Sequence, residues 1–135
     1  MRGTRGVVKP DTAIPATQGM RVFIVEDEVL LALMLTDILD GLGCHLVGSA
    51  QTVFQALSQL SDLSSIDAAI LDVHIGGEMV FPVADALAER HVPIVFSTGF
   101  EPGDLATRYP GSALLSKPYP SETLAAALAG LRSVA

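Results

Sequence analysis

The sequence predicts a doubly wound α/β fold: five parallel strands in one sheet, with helices covering both faces. Three observations carry this. Five short runs rich in β-branched and aliphatic residues alternate with helical stretches in units of roughly 20 to 25 residues, the spacing of right-handed βαβ crossovers. Most of these runs are apolar throughout rather than alternating, as strands covered on both faces are. Four of the five end in polar residues, and parallel strands deliver their last residues to one edge of the sheet. The chain has 135 residues, half of them apolar, which suffices for one core and leaves no length for a second domain.

The elements follow in order. RVFIV (21–25) is a buried strand that stops at three acids, Glu26, Asp27 and Glu28. Residues 28–42, rich in Leu, Ala and Met and ending in GLG, form a helix with a glycine stop. A second strand covers 44–49. Thr52 and Gln55 have capping-box spacing before Phe54, Leu57 and Leu60, so a helix runs to about 61. AAILDV (68–73) is the third strand, followed by a glycine-containing loop and a helix from Pro82 to about Arg90, proline being favoured in a first turn. PIVFS (93–97) is the fourth strand. A fourth helix is squeezed between Pro102-Gly103 and Pro110-Gly111; the turn and a half from Asp104 to Tyr109 should be weak. ALLS (113–116) is the fifth strand, and Ser121 to about Arg132 is a final helix with Leu124, Leu128 and Leu131 on one stripe.

Composition narrows the function classes. A net charge of −7 without a cluster of Lys or Arg repels phosphate backbones, so direct nucleic-acid binding is not expected. The single Cys44 can form no internal disulfide and has no zinc-type spacing; it reads as a small buried hydrophobe. No apolar run approaches the roughly 18 residues of a membrane span, and the start carries no signal-type apolar segment, so a cytoplasmic protein without membrane insertion is expected. Residues 1–19 mix Gly, Thr and Pro without periodicity and read as a flexible tail, with Met20 as an alternative start; the domain is expected over 20–135.

The polar residues at the strand ends are Glu26 and Asp27 after the first, Asp72 at the third, Thr98 after the fourth and Lys117 after the fifth. Convergence on one rim crowds three carboxylates, whose repulsion raises at least one pKa unless a cation neutralises them. Hard oxygen ligands with room for water suit Mg²⁺.

That set, in that order and on those strands, resembles the receiver domain of two-component response regulators over residues 20 to about 133. The resemblance implies a flavodoxin-like sheet of strand order 2-1-3-4-5. It implies Asp72 as phosphoacceptor, direct Mg²⁺ ligation by Asp27 and Asp72, a water-mediated contact from Glu26, and a further ligand from the His74 backbone carbonyl. Lys117 would pair with the phosphoryl group and form a cis peptide with Pro118, and Thr98 would donate its hydroxyl to the phosphoryl oxygens. FSTGF (96–100) resembles a subgroup with a Phe-Xaa-Thr-Gly-aromatic motif and a short fourth helix. The implied phosphodonor is a histidine kinase or histidine phosphotransferase. VLLALML (29–35) is apolar on too many faces for one-sided packing, and is expected to be shared between core and a docking surface for that donor.

Three departures from the family pattern stand out. Leu114 occupies the position where many receivers carry a switching Tyr or Phe, so that aromatic switch is absent; Tyr119 or Phe100 is a candidate substitute that nothing in the sequence requires. The VHIGGEM loop lacks the common proline four residues after Asp72. The fourth helix is short, which puts dimerisation through the fourth-helix face in doubt and leaves the oligomeric state open. Only Ser133 to Ala135 follow the last helix, so a stand-alone receiver acting through another protein is expected. Two rival readings remain: a receiver-shaped interaction module independent of phosphorylation, and an aspartate-nucleophile, Mg²⁺-dependent phosphatase, against which His74 stands where such enzymes carry a second Asp.

Overall fold

The computed structural model describes residues 16–99 and 103–134. Strand β1 (Arg21–Val25) leads into helix α1 (Val29–Gly41), then β2 (His45–Ala50), α2 (Val53–Asp62) and β3 (Ala68–Asp72). A two-stranded hairpin follows, β4 (His74–Ile75) and β5 (Glu78–Met79), then α3 (Phe81–Glu89), β6 (Ile94–Thr98), α4 (Leu105–Arg108), β7 (Ala113–Ser116) and α5 (Ser121–Val134). The five main strands form one parallel sheet in the order β2-β1-β3-β6-β7. Since the hairpin takes two labels, this is the expected order 2-1-3-4-5.

The central strands β1, β3 and β6 are buried on both faces because each face meets its own helices. Phe23, Val25, Ala69, Leu71, Ile94 and Phe96 pack with Ala56 and Leu60 of α2, Val83 and Leu87 of α3, and Leu105 of α4. The alternate residues Val22, Ile24, Ala68, Ile70, Val95 and Leu115 pack with Leu35 and Leu39 of α1 and with Leu124 and Leu128 of α5. The two-residue period of a strand thus sorts one continuous apolar run into two cores. One irregularity lies between β1 and β2, where the register jumps from Val22↔Leu46 to Phe23↔Gly48 and leaves Val47 of β2 as the extra residue. A Cβ on Gly48 would stand 2.8 Å from Phe23 Cδ1, so glycine lets the Phe23 ring lie against the edge strand.

Several local expectations hold. Thr52 Oγ1 accepts from the Gln55 amide at 3.0 Å, and the Gln55 side chain reaches back to the Gln51 amide at 2.9 Å, one residue outside the usual capping box. Cys44 is buried, and the Lys117–Pro118 peptide is cis. Helix α4 is shorter still than expected, with four residues.

Two features differ from the sequence reading. Residues 1–15 of the expected tail lie outside the described residues, but Ala16 to Gly19 form a turn bound to the α1–β2 connection. The Thr17 hydroxyl donates to the Leu42 carbonyl at 2.8 Å and the Gly19 amide to the Gly43 carbonyl at 2.8 Å. Thr17 is buried, so ordered packing begins before Met20. A glycine-rich composition hid this because the anchoring bonds reach residues more than twenty positions away. The loop after Asp72 is the other case: it forms the β4–β5 hairpin across a Gly76-Gly77 turn with φ of +58° and +84°, two consecutive left-handed residues as in a type I′ turn. Strands of two residues carry no periodicity to read.

Candidate functional site

The carboxyl ends of β1, β3, β6 and β7 meet at one corner. β3 is hydrogen-bonded to both β1 and β6, so Asp72 emerges between the acids that follow β1 and the polar end of β6. Glu26, Asp27 and Asp72 each offer one carboxylate oxygen within 4.8 Å of the others. Lys117 reaches across from the end of β7, with Nζ 2.9 Å from Asp72 Oδ2 and 3.1 Å from Glu26 Oε1. Its own amide donates to the Thr98 carbonyl at 2.8 Å, which ties the lysine's backbone to the end of β6.

The remaining bonds fix the acids from the backbone. The Glu28 amide donates to Glu26 Oε2 at 3.1 Å, the His74 amide to Asp72 Oδ1 at 3.3 Å, and the Gly76 amide to Asp27 Oδ2 at 2.8 Å. Glu28 sits at the N-cap of α1 without a side-chain capping bond; its contribution to the corner is this amide. Thr98 is buried at the end of β6, one residue beyond Ser97, which pairs in register with Asp72. The His74 side chain is exposed, and its amide donates to Asp72. Phe100, the aromatic end of the FSTGF motif, lies outside the described residues.

Charge at this corner is unbalanced. Burial pushes the Glu26 carboxyl above its ordinary range; the Glu28 amide and Lys117 pull it back only partly, and Asp72 adds to the rise. Burial draws the Lys117 ammonium down, but its bonds and attraction to Asp72 and Glu26 together outweigh that and hold it above its usual value. One lysine thus serves two buried acids, with a third close by. A donor set of clustered carboxylate oxygens beside a single ammonium fits a small hard divalent cation.

Beside the corner, α1 divides as its sequence suggested. Ala32, Leu35 and Leu39 are buried, whereas Val29, Leu30, Leu33 and Met34 are each more than half exposed. A small cavity of about 190 Å³ lies between α1 and the Lys117–Tyr119 segment, lined by Leu31, Met34, Ile38 and Tyr119 among others. No helix among the described residues is long and apolar enough to cross a membrane.

Sequence reasoning missed one cluster. Tyr109, the C-cap of α4, is buried against Phe96, with ring centroids 5.2 Å apart, and its hydroxyl donates to Asp85 Oδ1 of α3 at 2.7 Å. Arg108 pairs with Asp85 at 3.5 Å and lies over the Phe81 ring at 4.2 Å. Burial and the Asp85 carboxylate push the Tyr109 phenol up to about 12. Leu114, partly buried, packs against the same core layer, whereas Tyr119 packs against the opposite one. In the Leu114 layer Tyr109, at the end of α4, stands beside Phe96. The available signal was Tyr109 standing next to Arg108 with Asp85 one helix away, but nothing in sequence spacing sets that distance.

Sheet order and the clustered corner together place the chain in a known class. The solution structure of SdrG from Sphingomonas melonis Fr1 is 45% identical, with a TM-score of 0.71, covering 84% of this chain and 96% of that one. The solution structure of the receiver domain of PhyR from Erythrobacter litoralis, 24% identical, shares the fold with a TM-score of 0.75, covering 86% of this chain and 92% of that one. The chain belongs to the response regulator receiver domains. The phyllosphere-induced regulator PhyR of Methylorubrum extorquens is 27% identical over 118 residues, which are 85% of this chain and 44% of that protein. The chain thus spans less than half the length of that curated relative. No family model matches the chain.

Proposed function

We propose that Asp72 accepts a phosphoryl group from a phosphohistidine of a kinase or phosphotransferase in a Mg²⁺-dependent reaction, and that the phosphorylated domain signals through contact with another protein. The observation that supports this reading best is the Lys117 ammonium bridging Asp72 and Glu26 at 2.9 and 3.1 Å, with Asp27 in the same cluster. Three acids against one lysine form a corner that needs a further cation.

Asp27 and Asp72 would hold Mg²⁺ directly, Glu26 through water, and the His74 carbonyl would add a ligand. When bound, the ion supplies positive charge to the phosphoryl oxygens as charge spreads over them. An Asp72 carboxylate oxygen attacks phosphorus, the bond from phosphorus to the imidazole nitrogen breaks, and the nitrogen keeps the electron pair. The product is an acyl phosphate on Asp72. Lys117, held beside Asp72 by its bonds to Asp72 and Glu26, would offer its ammonium to the incoming oxygens, and Thr98 its hydroxyl; donors already close by keep reorganisation during the transfer small. The exposed Val29, Leu30, Leu33 and Met34 beside the corner form the apolar face on which a helical phosphodonor would dock.

The test is phosphorylation itself. The chain is incubated with Mg²⁺ and acetyl phosphate, or with a phosphorylated histidine kinase, and weighed intact. One added phosphoryl group that Asp72→Asn abolishes is expected. No addition from any donor would favour an interaction module that works without phosphorylation, and rapid turnover of assorted phosphate esters would favour a phosphatase.

A further inference from the structure

The three clustered acids are not held in the same way. Lys117 holds Glu26 and Asp72 with a side-chain ammonium, whereas Asp27 is held by a backbone donor, the Gly76 amide, 2.8 Å from Oδ2. That amide lies at the tip of the β4–β5 hairpin, forty-nine residues along the chain from Asp27. We infer that Gly76 is a positioning residue of the cation site: its N–H fixes the Asp27 carboxylate in the orientation that receives a divalent cation, so that hairpin conformation and cation affinity are linked. The inference rests on the corner being the cation site proposed above.

The hairpin is built to hold this donor still. Ile75, immediately before Gly76, is buried at 1% exposure, and the Val80 amide donates to the Val73 carbonyl at 2.9 Å, closing the hairpin's base. His74 faces Met79 and Ile75 faces Glu78 across the two short strands. The turn needs φ of +58° at Gly76 and +84° at Gly77, a region where a β-carbon is penalised by about 1–2 kcal/mol per residue. Glycine thus aims an N–H at Asp27 without strain. A main-chain donor has no side-chain rotamers to immobilise, unlike a serine or lysine doing the same task. With Oδ2 engaged, the carboxylate loses its free rotation and the other oxygen is left for the ion; bonds of this outer kind orient metal ligands generally. Proline, which many receivers carry at this position, offers no N–H and is confined to φ near −65°, so the family's usual loop lacks this bond.

Linkage makes the inference measurable without phosphorylation. If the bond favours the cation-binding orientation, bound cation must favour the bond by the same factor. The experiment uses the full ¹⁵N-labelled chain titrated with Mg²⁺ alone, affinity being read by calorimetry and by NMR shifts, and hydrogen exchange at the Gly76 amide being followed in parallel. The unaltered chain should bind Mg²⁺, with exchange at Gly76 slowing on saturation. Gly76→Pro should weaken binding about tenfold. Should proline disturb the turn, an ester in place of the 75–76 peptide bond removes the N–H while leaving a glycine-like φ, and should give a similar loss. Gly76→Asn keeps the N–H and tolerates positive φ better than most residues; it should bind nearly as the parent does. Unchanged affinity in the ester variant, or affinity unchanged while the metal-free Tm falls, would mark Gly76 as a turn residue only and overturn the inference while leaving the phosphoacceptor reading intact. Failure of the unaltered chain to take up Mg²⁺ would remove both.

Discussion

Two polar clusters occupy different parts of this domain, and they are assembled from similar parts to different ends. At the strand-end corner, Lys117 faces Glu26 and Asp72 with Asp27 beside them. On the α3–α4 side, Asp85 receives both the Tyr109 hydroxyl and the Arg108 guanidinium, which stacks on Phe81. In the second cluster one acid meets one cation and one neutral donor, so nothing further is required. The first has acids in excess and buries two of them, so a single lysine is shared between them and burial pushes the Glu26 carboxyl above its ordinary range. Balanced charge suits a fastening, whereas the excess of acids at the corner is what the proposed cation site rests on; counting acids alone would not separate the two.

The fastening has a purpose in this chain. A helix of four residues has no stability of its own, and α4 is held by Leu105 and Tyr109 in the core and by the contacts to Asp85. The largest effect is therefore expected there: Tyr109→Ala should lower the unfolding free energy by about 4 kcal/mol through the cavity left against Phe96, read by denaturant titration. Phosphoryl acceptance by the folded fraction should persist, and its loss would join two regions that the comparison separates.

Next in size is the effect of the cation on the unbalanced corner. Mg²⁺ at about 100 times its Kd should stabilise the chain by about 2.7 kcal/mol, seen as a rise in Tm. Asp27→Asn should diminish this rise, while Asp85→Asn, in the balanced cluster, should leave it in place. Equal loss in both variants would break the distinction.

Tyr109→Phe removes only the hydroxyl and should cost about 1 kcal/mol near neutral pH, less than the usual ~1.5–3 for a bond to a charged group because Asp85 is half exposed. It should also change alkaline behaviour. The phenol's value in the fold, about 12, lies above its ordinary 10.0. Its contribution is thus fully present below pH 10 and is lost as pH rises toward 12. The parent should lose stability over that window more steeply than Tyr109→Phe, measured by denaturant midpoints at successive pH values. The smallest effect belongs to Arg108→Ala, about 0.5 kcal/mol, since both the ion pair and the ring contact are exposed to solvent.

Much of this was legible before the fold was known. Apolar runs bounded by Gly and Pro located the five main strands and the helices, because burial on both faces leaves no other pattern. Glu26, Asp27, Asp72, Thr98 and Lys117 were readable as a set because a parallel sheet brings strand ends to one edge regardless of what lies between. His74 was singled out for its carbonyl; the structure bonds its amide to Asp72 and leaves the imidazole exposed. The turn at Ala16 to Gly19 and the Tyr109 cluster were not legible, since both depend on contacts between residues far apart in sequence, and the hairpin was not, since its two-residue strands show no period.

By itself, the sequence determined the alternation of strands and helices, the two-sided core, and which polar residues close the strands. These are properties of local pattern, where each residue's neighbours along the chain suffice. Tertiary structure alone decided that one lysine would span two acids, that a glycine amide would reach Asp27, and that Tyr109 would find Asp85. Those are distances across space, set by how layers pack and turns close.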